Sequence, residues 1–255
     1  MQSKSLIALA ASASGALAAT PPGFEPSSET SLLVTYGGVA ALDGAVVEKD
    51  ITQEPPTIAT QSKLDGTSFA ILMIDLDIPT DNPPETNTLL HWLQTGLTQS
   101  SSAVPFNATQ GSTSAFVFSV PEDEDAFAPY LGPAPPARIP LSHEYTEIIV
   151  DTSDASEDGL SALKTAAANR LGFNAQDVLT SAGLVDKVVA GNFFNVTNPG
   201  PVEGTKSSNS TTGGGNGTNS GSSPSQSPVT GAAVSQRVGA SLLATMMVGV
   251  AFLAL

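Results

Sequence analysis

The chain has no cysteine among its 255 residues, so a disulfide framework, a zinc–thiolate site and a thiol nucleophile are all excluded. Cations are scarce: 9 Lys and Arg stand against 24 Asp and Glu, a formal charge of −15. Binding to a nucleic-acid backbone needs the opposite sign, and no Lys/Arg cluster offers a polybasic grip on anionic lipid. Aromatic and imidazole groups are also few, with one Trp, three Tyr and two His. There is no G-x-S-x-G elbow and no H-E-x-x-H helix, so no hydrolase signature is present.

The two ends read as addresses. Lys4, the apolar run 6–11 and the small residues Ala16 and Ala18 have the order of a secretory signal, predicting removal of residues 1–18. Residues 238–255 are almost wholly apolar and follow a polar spacer and a small-residue patch at 219–223, the pattern of a signal for a glycosylphosphatidylinositol anchor, with a single transmembrane helix as the alternative. Between them, residues 199–230 are rich in Gly, Ser, Thr, Asn and Pro and lack core-forming side chains, so a disordered stalk is expected. Asn107, Asn195, Asn209 and Asn216 begin N-x-Ser/Thr sequons, usable acceptors in a secreted chain. These readings predict a glycosylated cell-surface protein held to the plasma membrane or wall by a lipid anchor.

What remains, residues 26–198, has the length of one domain. The runs 32–36, 68–74, 89–93, 115–120, 145–150 and 193–196 are apolar and too short for core helices, and so read as strands. Leu160, Leu163, Ala167 and Leu171 mark one helical stripe, with Gly172 as its expected cap. Asn174, with Asp177 three residues on, starts a second short helix that Gly183 closes. Strands dominate this order.

Chemistry-bearing residues gather in two segments. Asp75 and Asp77 close one apolar run and, at i and i+2 of an extended chain, project to the same face. Two carboxylates held close need a cation, a histidine or backbone N–H groups beside them. Capping of the turn at Pro79 is the structural alternative. His91-Trp92-Leu93 opens another apolar run, and a Pro-rich loop from Tyr130 leads into His143-Glu144-Tyr145. The loop's prolines restrict φ and so lower the entropy of presenting backbone groups to a ligand.

Together, Asp75-x-Asp77-x-Pro79, His91-Trp92-Leu93, Gly132-Pro133-x-Pro135-Pro136 and His143-x-Tyr145, with a looser match at Asn192-Phe193-Phe194, resemble the phosphatidylethanolamine-binding protein family. The resemblance implies a mainly β (α+β) fold, with a central antiparallel sheet, a smaller second sheet and a few short peripheral helices. It also implies a non-catalytic module with a small pocket for phosphate or phospholipid head groups. Asp75, His91, Gly132, His143 and Tyr145 would line that pocket, with Asp77, Pro79 and Pro133 contributing to it. Imidazoles, a phenol and turn N–H groups are apt donors to such an anion. The family includes serine carboxypeptidase inhibitors, so a protease partner is the alternative. A metal-dependent hydrolase built on Asp75, Asp77, His91 and His143 is chemically permitted and is the weakest reading; no cofactor is expected. Glu144 and Leu76 depart from the family pattern: a pocket-facing Glu144 would oppose an anion, and Leu76 stands where Pro is frequent.

Overall fold

The computed structural model describes residues 19–121 and 124–200. The expected signal (1–18), anchor tail (238–255) and all of the stalk beyond its first two residues lie outside them, as do Asn209 and Asn216.

Nine strands form, β1 (Leu33–Tyr36), β2 (Val39–Ala40), β3 (Thr57–Thr60), β4 (Phe69–Pro79), β5 (Thr86–Gln99), β6 (Val104–Ala108), β7 (Gly111–Ser119), β8 (Ser142–Asp151) and β9 (Val188–Thr197). Two helices, α1 (Glu157–Ala167) and α2 (Ala175–Ser181), lie between β8 and β9. All strand pairs are antiparallel, in the order β2-β1-β3-β7-β5-β4-β8-β9, with β6 on β7. The central part is β5-β4-β8-β9. The smaller part, around β1 and β3, joins it along the sheet by the two pairs Thr98↔Ser119 and Gln99↔Phe118, and the chain flanking β1 and β2 also bridges to β9 at Ser31↔Gly191 and Val46↔Asn195. So short a hinge lets the smaller sheet curl over one face of the central one.

Strand alternation sorts the core into two layers. From β4, Ala70, Leu72 and Ile74 meet Leu163 and Ala167 of α1 and Leu179 of α2, while Phe69, Ile71 and Met73 meet Val34 and Tyr36 of β1 and Ile58 of β3. Such a strand, buried on both faces, reads as continuous apolar sequence rather than as an alternation. A small satellite core of Leu33, Ala59, Phe106 and Ala115 sits under the β6–β7 hairpin.

The helices are set by their caps. Ser156 Oγ accepts from Gly159 N at 3.0 Å and Asn174 Oδ1 from Asp177 N at 3.0 Å, satisfying donors that the first helical turn leaves free. α1 stops at Ala167, so the stripe expected to run to Leu171 is one turn too long. Leu171 instead bridges Leu89 and is 54% exposed, and Gly172, at φ +74°, turns the chain after that bridge rather than capping the helix. The second helix runs as expected from its Asn174 cap and is followed by Gly183 at φ +70°.

Candidate functional site

The site lies at one end of the central sheet, where the core-facing side chains turn from apolar to polar. On β4, Met73 is followed on the same face by Asp75; on β8, His143, Tyr145 and Glu147 share that face. Asp75 stands opposite Tyr145 in the register, and Met73 opposite Glu147. On β5 the residue paired with Met73 is Trp92 and the one paired with Ile74 is Leu90, which leaves His91 as the extra residue of a β-bulge. The bulge breaks strict alternation: Leu90 and Leu93 both serve the helical layer, Trp92 serves the opposite layer, and the His91 ring meets Tyr145 edge-on at 5.2 Å.

Asp75, only 1% exposed, organises the cluster. Its Oδ2 accepts from His143 Nδ1 at 2.8 Å and lies 3.8 Å from His91 Nε2, while its Oδ1 accepts from Asp77 N at 2.8 Å. Asp77 is itself turned to Glu144 N, at 2.8 Å. The expected carboxylate pair is therefore resolved by backbone donors and one imidazole, and Asp77 lies at the rim rather than in the cluster. Glu144, between His143 and Tyr145 along β8, projects to the other face by alternation and is half-buried; burial and the neighbouring Asp77 raise its pKa. Leu76 extends β4 and packs on the helical layer, so no turn forms at the Asp75–Asp77 segment.

His91 Nδ1 donates to Leu131 O at 2.7 Å. The Arg170 guanidinium donates to the carbonyls of His91, at 3.2 Å, and Pro129, at 2.8 Å, tying β5 to the start of the Pro-rich strap. Burial, as the largest cause, lowers the His91 pKa against the raising effects of the Leu131 hydrogen bond and Asp75. Burial likewise pushes the Tyr145 phenol well above its ordinary value, with Asp75 adding to the shift.

His91 Nε2, His143 Nε2 and Tyr145 Oη are buried and have no hydrogen-bond partner. Native structures leave few buried polar atoms unpaired, so three in one cluster set it apart from the rest of the core. The cluster is enclosed rather than open, and two of the larger clefts, about 430 and 540 Å³, lie elsewhere, by Phe24 and Phe173 and by Glu29 and Lys63. Among the described residues no group of three His, Asp or Glu side chains is arranged to hold a metal ion.

The strap, residues 131–136, runs beside the cluster. Gly132 lies against Gln53, where an added Cβ would come within 2.9 Å of the Gln53 Cα, and the Pro133 carbonyl accepts from Gln53 Nε2 at 3.0 Å. These two residues seat the strap on the 3-10 helix Lys49–Thr52. The exposed Ala134, absent from the sequence reading, is the strap residue whose backbone approaches the Tyr145 hydroxyl. Pro79 ends β4 opposite Thr86, four residues beyond Asp75. Thus Asp75, His91, His143 and Tyr145 come together, Asp77, Gly132 and Pro133 border or support them, and Pro79 stands apart at the end of β4. The two described sequons differ: Asn107 is exposed on β6, whereas Asn195 donates to Gly44 O at 3.1 Å.

The model of the family described as phosphatidylethanolamine-binding protein matches residues 31–194 of this chain. The chain belongs to that family. Phomoidride biosynthesis cluster protein N of Talaromyces stipitatus is similar to this phosphatidylethanolamine-binding protein family member, with 30% identity over 190 residues, 69% of this chain and 88% of that one. Among solved structures, a phosphatidylethanolamine-binding protein from Plasmodium vivax is 17% identical over 69% of this chain and 92% of its own, with a TM-score of 0.47. Carboxypeptidase Y inhibitor, complexed with its cognate proteinase, is 18% identical over 66% of this chain and 82% of its own, with a TM-score of 0.45.

Proposed function

We propose that this protein is a non-catalytic binding module of the cell surface, whose cluster of Asp75, His91, His143 and Tyr145 receives the oxyanion of a phosphorylated or similarly anionic small ligand, such as a phospholipid head group. The observation that carries the reading is the set of three unpartnered buried atoms around one carboxylate. A phenol O–H and imidazole nitrogens can each bond an oxyanion, and Asp75 can take a ligand ammonium or hold His143 in place. Because the cluster is enclosed, a ligand enters when the strap yields near Ala134. Secretion, glycosylation and the lipid anchor belong to the same proposal and rest on the sequence of the two ends.

Calorimetric titration of phosphoethanolamine into the purified protein tests the reading. Binding that is weakened in His91→Ala supports it; absence of binding to the wild type sinks it. Carboxypeptidase inhibition is a property stated for the inhibitor whose fold is similar, and for this chain it is settled by an inhibition assay against secreted serine carboxypeptidases.

A further inference from the structure

The tautomers of the two histidines follow from their partners. Leu131 O can only accept, so His91 carries its proton on Nδ1; the Asp75 carboxylate accepts, so His143 does the same. Burial disfavours the cationic form of His91, so its imidazole turns a bare lone pair at Nε2 toward the cluster, and His143 Nε2 is likewise unpartnered. Beside them lies the Asp75 carboxylate, and the only unpartnered side-chain O–H of the cluster is that of Tyr145. Around His91, a fully deprotonated anion therefore meets a lone pair at Nε2 and the negative charge of Asp75, with the Tyr145 hydroxyl as a side-chain donor and the Ala134 backbone near it.

Building on the anion-binding reading above, we infer that the site takes its ligand together with a proton: the bound species is an oxyacid that still carries a hydrogen, or a bare anion with a proton added to a histidine Nε2. Either form turns an acceptor–acceptor clash into a donor–acceptor pair, and protonation of His91 Nε2 also sets a cation 3.8 Å from Asp75. The charged and titratable groups around the imidazoles are few. Asp75 comes from β4, Tyr145 from β8 and Arg170 from the α1–α2 connection, where its guanidinium sits on the His91 carbonyl. At the rim the Asp77 carboxylate accepts from Glu144 N, the Glu144 side chain projects to the other face of β8, and strap residues 131–136 carry no titratable side chain. Burial disfavours a permanently cationic His91, so the proton arrives with the ligand rather than before it.

The test is calorimetry of sulfate and of phosphoethanolamine, each in two buffers of different ionisation enthalpy, from pH 6.5 to 8.5. Sulfate brings no proton in this range, so about one proton is taken up per sulfate bound and its affinity rises about tenfold per unit fall in pH while His91 remains neutral. Phosphoethanolamine, with a second phosphate ionisation near about 6, requires less uptake as that pH is approached. In His91→Gln/His143→Gln the amides can donate without titrating, and the uptake for sulfate disappears. Anion binding with equal heats in both buffers and a flat pH profile, or uptake that persists in the double variant, overturns the inference while leaving the anion site standing. Failure of both anions to bind at any pH removes the site itself.

Discussion

The two faces of the central sheet are built to opposite specifications. Toward the helices, Leu72, Ile74, Leu93, Ile148 and Val150 form a layer with no buried charged side chain among the described residues. Toward the smaller sheet, the same strands carry Asp75, His91, His143, Tyr145 and Glu147, all buried, among Met73, Trp92 and Phe194. Packing on the first face can be optimised for stability alone; the second retains unpaired polar atoms that cost stability, which the proposed ligand would offset. Even within the second face there is a division. Glu147 is satisfied by Tyr36 Oη and Asn192 Nδ2, each at 3.0 Å, whereas four residues away His143 keeps one nitrogen unpartnered.

The largest effect expected from this contrast is on the helical face. Leu72→Ala should cost about 2–5 kcal/mol in urea denaturation through lost contacts and a residual cavity, yet leave anion affinity within about twofold. A large loss of affinity would mean that the two faces are not independent.

Next comes pH. Burial, opposed by its two hydrogen bonds, pushes the Glu147 carboxyl from 4.5 up to about 7. Below about 4.5 the folded and unfolded chains both hold this proton and its contribution to stability is fully present. Between about 4.5 and 7 only the folded chain holds it, so stability falls as pH rises, by on the order of 3 kcal/mol in all, and levels off above. Denaturation midpoints measured across this window should show that slope in the wild type and lose it in Glu147→Gln, which retains both hydrogen bonds in an uncharged form.

A smaller loss, about 1–3 kcal/mol, is expected for Gly132→Ala, because its Cβ meets Gln53 backbone and one of the two segments must shift. Moving the strap should weaken anion binding as well, so the ratio of the two effects measures how far strap position matters to the site. The smallest effect has the opposite sign. Tyr145→Phe removes a buried hydroxyl without a partner and should raise stability by about 1 kcal/mol while reducing phosphoethanolamine affinity several-fold. If stability falls instead, the hydroxyl has a structural partner and the face is less specialised than its geometry indicates.

Much of this arrangement was legible in the sequence because its strongest signals are local. Residues 68–74 read as a buried strand from their unbroken apolar character, and the family resemblance that the motifs carry implied that Asp75, His91, His143 and Tyr145 share one site. β3 and β6 were not legible: Thr57–Thr60 contains a single large apolar residue, and Val104–Ala108 includes Pro105 and Asn107. Their strand character comes from pairing with β1 and β7, which no local pattern reports. The bulge at His91 was equally hidden, since a sequence window assigns His91 and Trp92 to opposite faces. Gly132 drew attention as the glycine of the motif, but its small size serves contact with Gln53, and the backbone nearest the phenol belongs to Ala134, a residue without any chemical signature. The helix end at Ala167 was missed because Leu171 continues the stripe by spacing while its backbone bonds elsewhere.

The bulge that carries His91 has an experimental consequence of its own. Trp92, the sole indole of the chain, is chained to that histidine and meets Tyr130 edge-on at 5.7 Å, just where the strap begins. Selective excitation of this fluorophore therefore reports from beside the cluster without any label, and its emission offers an optical test of ligand binding there in native, unmodified protein.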